Sequence, residues 1–482
     1  MHCKEHLDYL FNPRSIAVIG ASTVFGKWGF NILSRLLTCK DGKQIYAINN
    51  KFDEVLGLKS YKSIVDVPGP VDLAMISVPL SYVCSTMQEC VEKRVKTAII
   101  ISSGLAETGA EGEKIERELV NIARNGGIRF VGPNCLGHFN TASNVLTVPF
   151  LPSIKKGPVA LISQSGNSSQ SVFNHGLEMG LGFSKFVSSG NEADLHFEDY
   201  LEYLAQDKET KIIMGYVEGF REGRRFFNLA KEITKKKPII IMKSGRSDAG
   251  IKAAHSHTAA LAGSDAVLDA VFKQCGVIRV DELSELTDMA VALLGQPLPR
   301  GRRVGVLTMG GGMAVISVDA LRKNGLELPK LSQRTMDILN SFLSPRWSYG
   351  NPVDPAGDFV SYPILWPMIE DENLDAVIII GGVGMASSFA GWAGIPSEMK
   401  YNARELRRQM EEKELEDLNK TISMMKQYQK PVLFTTMVWG AKRPGKIFKT
   451  LKKRYLYPYA VPETSAKVLA KLVEYHEYCK SV

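Results

Sequence analysis

The sequence predicts a parallel α/β protein built from three consecutive domains, the last two of them copies of one unit. Short β-branched runs alternate with longer amphipathic stretches along the whole chain, which is the pattern of strands covered by helices on both faces. The length, 482 residues, suits about three domains. At a constant offset of 145 residues, Val159 pairs with Val304, Gly166 with Gly311, Gly180 with Gly325 and Leu181 with Leu326.

Taken in order, Ser15 to Ile19, Gln44 to Ile48, Leu73 to Val78, Lys96 to Ser102 and Arg129 to Val131 read as strands of a first domain spanning 1–150. A second domain, 151–298, opens at Gly157-Pro158, with Val159 to Ser163, Lys211 to Tyr216 and Pro238 to Lys243 as strands. A third, 301–482, opens at Gly301, after a linker expected at Gln296 to Arg303 from its Pro, Gly and Arg content. Strand, Gly-containing turn, helix and Gly-Leu recur in both later domains. Lys237-Pro238-Ile239-Ile240 also has a counterpart in Lys430-Pro431-Val432-Leu433. A tandem duplication of one α/β domain follows.

Composition excludes several classes. Hydrophobic residues make up 45% and charged residues 23%, ordinary globular values that exclude wholesale disorder. Lysine and arginine number 59 against 51 acids, a net charge of +8 spread along the chain. That excess suits an anionic small molecule and is too diffuse for nucleic acid. The cysteines Cys3, Cys39, Cys84, Cys90, Cys135, Cys275 and Cys479 are scattered, with no CxxC pair for zinc or redox chemistry, which points to a reducing, cytoplasmic setting. No apolar run approaches the roughly 18 residues of a membrane span, and Met1 to Tyr9 is polar where a signal peptide would be apolar.

Three turns are candidate anion sites. Val18-Ile19-Gly20-Ala21-Ser22, with Gly26-Lys27-Trp28-Gly29, puts a glycine-rich turn between the first strand and its helix. It reads either as a structural tight turn or as a phosphate cradle of backbone amides at an electropositive helix start. The dinucleotide fingerprint GxGxxG is absent, and Asn49-Asn50-Lys51 follows the second strand where an acid would hold a bare ribose. That argues against a nicotinamide-dependent oxidoreductase and favours a phosphorylated ribose. Ser163-Gln164-Ser165-Gly166-Asn167 and its duplicate Met309-Gly310-Gly311-Gly312 each end a strand and open a helix. If the copies pack about a pseudo-twofold axis, both helix starts converge on one phosphoryl group.

Catalytic candidates are fewer. The stretch Lys243 to Asp265 is rich in small residues, lacks strand pattern and carries His255 and His257. A histidine there is either structural or a nucleophile. Glu218 follows the strand Ile212 to Tyr216, at the end where α/β proteins place their sites, and is either a surface carboxylate or the partner that fixes an imidazole tautomer. Asn134, in Gly132-Pro133-Asn134-Cys135, offers amide hydrogen bonds; Cys135 beside it reads as a buried structural thiol. Lys235-Lys236-Lys237 reads as a solvated helix end and Arg404 to Lys420 as an exposed helix.

With these residues in view, the chain resembles the alpha subunit of ADP-forming (NDP-forming) acyl-CoA synthetases, relatives of succinyl-CoA synthetase. The likeness runs in order through Phe11-Asn12-Pro13-Arg14-Ser15, the Gly20 and Gly132 turns, Ser163-Gln164-Ser165-Gly166, Ser189-Gly190-Asn191, Glu218-Gly219, Ser256-His257-Thr258, Leu261-Ala262-Gly263-Ser264, Gly276 to Val280 and Asn351-Pro352-Val353-Asp354. The resemblance implies a Rossmann-like CoA-binding domain followed by two flavodoxin-like domains, with an ATP-grasp beta subunit holding ADP or ATP and Mg2+, in an α2β2 assembly. It implies a reversible reaction, acyl-CoA, phosphate and ADP giving free acid, CoA and ATP through an acyl phosphate and a phosphohistidine. The phosphorylated histidine falls on His257 and its orienting acid on Glu218.

The same resemblance assigns Gly20, Ala21, Ser22, Gly26, Lys27 and Asn134 to CoA. Phosphate falls to Ser165, Gly166 and Asn167 with Gly310, Gly311 and Gly312. No metal ligand is assigned to this chain. Ala259-Ala260 stands where the family commonly has Gly-Ser, and Trp28 is bulky for the CoA turn. The competing reading is a CoA-binding regulatory protein that keeps the fold without turnover. Neither the acid nor the preference for ADP over GDP is legible in the residues.

Overall fold

A computed structural model describes residues 3–39, 41–149, 151, 153–247, 265–356, 361–384, 400–436 and 445–482. The chain divides into two compact units, Met1–Thr287 and Asp288–Val482.

The first unit contains two seven-stranded sheets. One has the order β3-β4-β2-β1-β5-β6-β7, with β1 Ser15–Ile19, β2 Gln44–Ile48, β3 Glu54–Val55, β4 Leu58–Tyr61, β5 Leu73–Ile76, β6 Thr97–Ile100 and β7 Arg129–Val131. Every pair is parallel except β3–β4. All residues of β1, β5 and β6 are buried, which is why they read as unbroken apolar runs rather than alternating ones.

The second sheet has β8 His138–Asn140, β9 Val145–Leu146, β10 Lys156–Ser163, β11 Phe183–Ser188, β12 Ile212–Val217, β13 Ile239–Lys243 and β14 Ile278–Val280, in the order β14-β13-β12-β10-β11-β8-β9. The hairpin β8–β9 lies within the segment 1–150 expected to form the first domain, yet it pairs antiparallel with β11 of the second sheet. Asp194, fully buried, ties the two sheets' elements together. It accepts from Arg124 Nε at 2.8 Å, Arg129 Nε at 2.8 Å and the Phe130 amide at 2.9 Å. One hydrophobic cluster includes Phe11, Val131 and Cys135 together with Ile162, Val187 and Phe197. Packing therefore runs across the break expected near 150, within the compact unit Met1–Thr287.

The second unit carries three parallel strands in the order β15-β16-β17: β15 Val304–Thr308, β16 Ala376–Ile380 and β17 Val432–Thr435. Parallel bridges from Leu307 to Val353 and from Thr435 to Tyr459 extend it on both edges. Position by position this repeats β11-β10-β12-β13-β14. The helices Gly166–Met179 and Gly311–Lys323 both follow the first strand of their copy. Gly180 and Gly325 close them with positive φ, and the amides of Leu181 and Leu326 return to Gly176 and Leu321. Ser163 Oγ donates to the Ser165 carbonyl at 2.6 Å, as Thr308 Oγ1 does to the Gly310 carbonyl at 3.3 Å. The offset of 145 therefore aligns equivalent places in two copies of one fold.

Gln296, in the expected linker, exchanges two side-chain hydrogen bonds with the backbone of Val432, at 2.7 and 3.0 Å, so it is docked on the second unit's sheet. Lys237 also departs from expectation. Its ammonium donates to the carbonyls of Leu204 and Asp207, capping the helix Phe197–Gln206 rather than lying in solvent. Arg404 to Lys420 falls in the helix Lys400–Tyr428, where Arg408 pairs with Glu405 and Glu412 on the exposed face.

Candidate active site

The first site grows from the turn after β1. Gly20 has φ of +88°, and a side chain there would press on the Ser77 carbonyl; a side chain at Gly29 would press on the carbonyl of Gly20. The two glycines let the helix Trp28–Leu37 start directly against the end of β1. Asn49 Nδ2 holds the Ala21 carbonyl at 2.7 Å, while the Ser22 hydroxyl accepts from the Val24 amide at 3.0 Å and so shapes the turn. Lys27 is the N-cap residue and makes no side-chain cap bond.

These residues line a cavity of about 850 Å3. Lys27, Lys51 and Lys62 give it a positive rim, and Val24, Trp28, Phe52 and Tyr82 are exposed apolar groups along it. Three cations plus free helix-start amides suit a polyphosphate, and the apolar rim suits a base or an alkyl arm. The part supplied by Lys62, Ser77 to Leu80 and Ser102-Ser103 was not visible in the sequence, because it comes from the ends of later strands. Gly20, Ala21, Ser22 and Lys27 all line the cavity; Gly26 and Asn134 do not. Asn134 stands where the first sheet meets the second. Its amide donates to the carbonyl of Ser102, itself a lining residue, and its Nδ2 reaches Asn191 Oδ1 at 3.4 Å. Asn191 in turn donates to Glu107 at 2.6 Å and Glu116 at 3.1 Å. Burial pushes the Cys135 thiol up to about 12, so it is held as a neutral thiol and is no nucleophile at neutral pH.

The second site lies at the C-terminal edge of the second sheet. Ser165 caps the helix Gly166–Met179 by accepting from the Ser168 amide, leaving the start of that helix as the electropositive end of a dipole beside Gly166 and Asn167. Glu218 directly follows β12 and is only 9% exposed, so the surface-carboxylate reading does not hold. Lys243, buried at the end of the neighbouring β13, is paired in register with Val217. Burial lowers its pKa, while the charges of Asp265 and Glu218 act in the opposite sense. Lys243 is a further candidate for the site, one that the sequence showed only as a strand ending.

His257 and His255 lie outside the described residues. The described residues on either side of them are Ser247 and Asp265. These flanks are clasped: Arg246 and Arg279 both pair with Asp265, and Arg246 also pairs with Asp281. The turn Gly310-Gly311-Gly312 belongs to the second unit, where Gly310 has φ of +125° and Gly312 has open space around it. No side chain caps the helix it opens.

Behind Glu218 sits a buried acid pair. Glu192 Oε1 accepts from Ser189 Oγ at 2.7 Å, and the amide of Glu222 donates to Glu198 Oε1 at 3.1 Å; the second carboxylate oxygen of each acid has no hydrogen-bond partner among the described residues. Burial pushes the Glu192 carboxyl up to about 8. The folded state thus keeps a proton that the unfolded chain releases above about 4.5. Stability from this group is lost as pH rises from there through about 8. Glu192→Gln should remove that slope, so that relative to the parent the variant gains on the order of 4 kcal/mol of stability between pH 5 and pH 8.5. Urea unfolding at the two pH values measures the difference, and parallel profiles would contradict it.

The fold defines the class, a Rossmann-like domain followed by flavodoxin-like sheets, which is the arrangement of acid–thiol ligases of the succinyl-CoA synthetase type. A family model described as a CoA binding domain matches residues 14–141, and one described as a succinyl-CoA ligase like flavodoxin domain matches residues 156–293. The acetate–CoA ligase (ADP-forming) II subunit alpha of Pyrococcus furiosus is 46% identical over 377 residues, covering 78% of this chain and 82% of that one. Acetate–CoA ligase (ADP-forming) I of Archaeoglobus fulgidus is 41% identical over 379 residues, 78% of this chain but 54% of the relative. Among solved structures, the dinucleotide forming acetyl-coenzyme A synthetase 1 of Ca. Korarchaeum cryptofilum, in complex with phosphate and ADP, is 32% identical with a TM-score of 0.81, covering 98% of this chain and 97% of that one. The chain belongs to the family of ADP-forming acyl-CoA synthetase alpha subunits. Among the described residues no helix is long and apolar enough to cross a membrane.

Proposed function

We propose that this chain is the CoA-binding and phosphohistidine-bearing subunit of an ADP-forming acyl-CoA synthetase. The observation that carries the reading is the placement of buried Glu218 at the strand edge shared with the Ser165–Gly166 helix start, in a chain whose first domain has a lysine-rimmed cavity. CoA phosphates lie against the Gly20–Lys27 turn, and Asn134 stands toward the thioester. An oxygen of inorganic phosphate attacks the thioester carbonyl, the C–S bond breaks and CoA leaves as the thiol. His257 then attacks the phosphorus of the acyl phosphate, the P–O bond to the acyl group breaks and the free carboxylate departs. ADP takes the phosphoryl group and the imidazole is regenerated.

Within this chain, Ser165, Gly166 and Asn167 hold the phosphoryl oxygens by backbone amides and the helix dipole, and Gly310, Gly311 and Gly312 supply a second helix start of the same kind. Glu218 orients the imidazole and stabilises its cationic form. Mg2+ and ADP are assigned to an ATP-grasp beta subunit in an α2β2 assembly. Among the described residues of this chain no cluster of three or more His, Cys, Asp or Glu side chains is placed to hold a metal. The Archaeoglobus fulgidus relative, named without a subunit, is about twice as long as the portion matched here, which accords with a partner half. The acid is a small carboxylate, with acetate the first to test, and the setting is the cytoplasm.

The deciding experiment incubates the chain, with and without its partner, with γ-labelled ATP and Mg2+. Acid-labile, base-stable label on His257 that needs the partner supports the relay. Absence of label with CoA still bound selects the regulatory protein. Glu218→Gln should slow label formation by about 100-fold with CoA affinity unchanged; an unchanged single-turnover rate would remove Glu218 from the step.

A further inference from the structure

The turn that cradles phosphate and the loop that carries Glu218 are held together by one side chain. Gln164, the residue before the N-cap Ser165, accepts from the amides of Glu218 at 2.5 Å and Gly219 at 3.2 Å through Oε1, and its Nε2 donates to the Gly219 carbonyl at 2.8 Å. Its own amide donates to the Tyr216 carbonyl at 3.1 Å. The strand ladder between β10 and β12 ends at Ser163 and Tyr216. Beyond that pair the backbones diverge, and the primary amide of Gln164 takes the place of the missing ladder rung.

We propose that Gln164 is a positioning residue for phosphoryl transfer, its side-chain amide fixing the Glu218–Gly219 backbone against the Ser165–Gly166 turn so that carboxylate and anion cradle keep one separation. The chemistry of the side chain is specific to the task. An amide both accepts two N–H groups and donates to a carbonyl, which no other side chain of this length does. Glutamate keeps the acceptor and loses the donor. Methionine has the same reach and neither function. Asparagine is one methylene short. Without the clamp, two backbone amides at the loop lose their partner, at about 1 kcal/mol each, and the carboxylate loses its fixed position. A displacement of about 1 Å at a reacting group lowers the rate by roughly 100-fold. The proposal rests on the phosphohistidine reading for its chemical consequence, and on the hydrogen bonds alone for the clamp.

The test uses the full chain with its partner and two readouts. In hydrogen exchange, Gln164→Met should expose the Glu218 and Gly219 amides at least about tenfold faster than in the parent, while amides of the first sheet and CoA affinity stay unchanged. In single-turnover labelling of His257 from ATP, Gln164→Met should fall about 10- to 100-fold and Gln164→Glu less. Adding Gln164→Met to Glu218→Gln should cost no more than about threefold beyond Glu218→Gln alone, because one acts through the other. If Gln164→Met fails to fold, the same readouts on Gln164→Glu decide. Unchanged exchange at 218 and 219, or losses that multiply in the double variant, overturn the proposal. An unlabelled parent with protected amides overturns the relay and leaves the clamp standing.

Discussion

His257→Ala is expected to abolish acyl-CoA synthesis and cleavage, by at least about 10,000-fold, while CoA affinity stays within about twofold of the parent. Cys135, the thiol nearest the Asn134 turn in sequence, offers no substitute nucleophile, because burial holds it neutral. The cavity proposed to receive CoA is built on the first sheet, from the ends of β1, β2, β5 and β6. Arg246 and Arg279 pair with Asp265 at the flanks of the segment carrying His257, and the substitution removes neither of these ion pairs. Coupled assay of turnover with isothermal titration of CoA separates the two effects. Equal loss of both would contradict the division of labour between the sheets.

Gly20→Ala should give the converse result, weakening CoA about 100-fold while leaving phosphorylation of His257 from ATP intact. The added methyl meets the Ser77 carbonyl and must be borne at φ of +88°. Moving the turn displaces the helix start packed on it through Gly29, and with it the amides and dipole that receive phosphate. The strain, of the order of 2–3 kcal/mol, corresponds to roughly 100-fold in affinity. Gly26→Ala is the control. It carries the same backbone penalty at φ of +86° with nothing near its methyl, and should cost only about fivefold. Similar losses for both variants would show that conformation alone, rather than the close approach to Ser77, governs the site.

The pair of variants maps onto what could be read along the chain. β1, β2 and β7 occupy the residues expected from their apolar runs, because most of their residues are buried and local hydrophobicity alone announces them. The strand-to-helix turns were legible for a similar reason: a glycine or serine between strand and helix is a local requirement of backbone geometry. β11, β14 and β16 were not among the expected strands. Neither were β3, β4, β8 and β9. They are two to four residues long, so their periodicity is too brief to register, and β8–β9 takes its place only by pairing with β11 some forty residues later. Lys62, Lys243, Asn191 and Gln164 entered the site the same way, each carried there by a strand end whose neighbour is distant in sequence.

What the sequence by itself determined is the alternation of strands, turns and helices, the duplication at an offset of 145, and the residue types able to handle phosphate, since each is set by interactions within a few residues or by repetition of such a set. Only the tertiary structure decided that the first two domains share one core, that Glu218 is buried beside the Ser165 turn, and that a glutamine bridges them. These depend on which strands lie side by side, and a parallel sheet joins residues fifty or more positions apart through hydrogen bonds that leave no local trace.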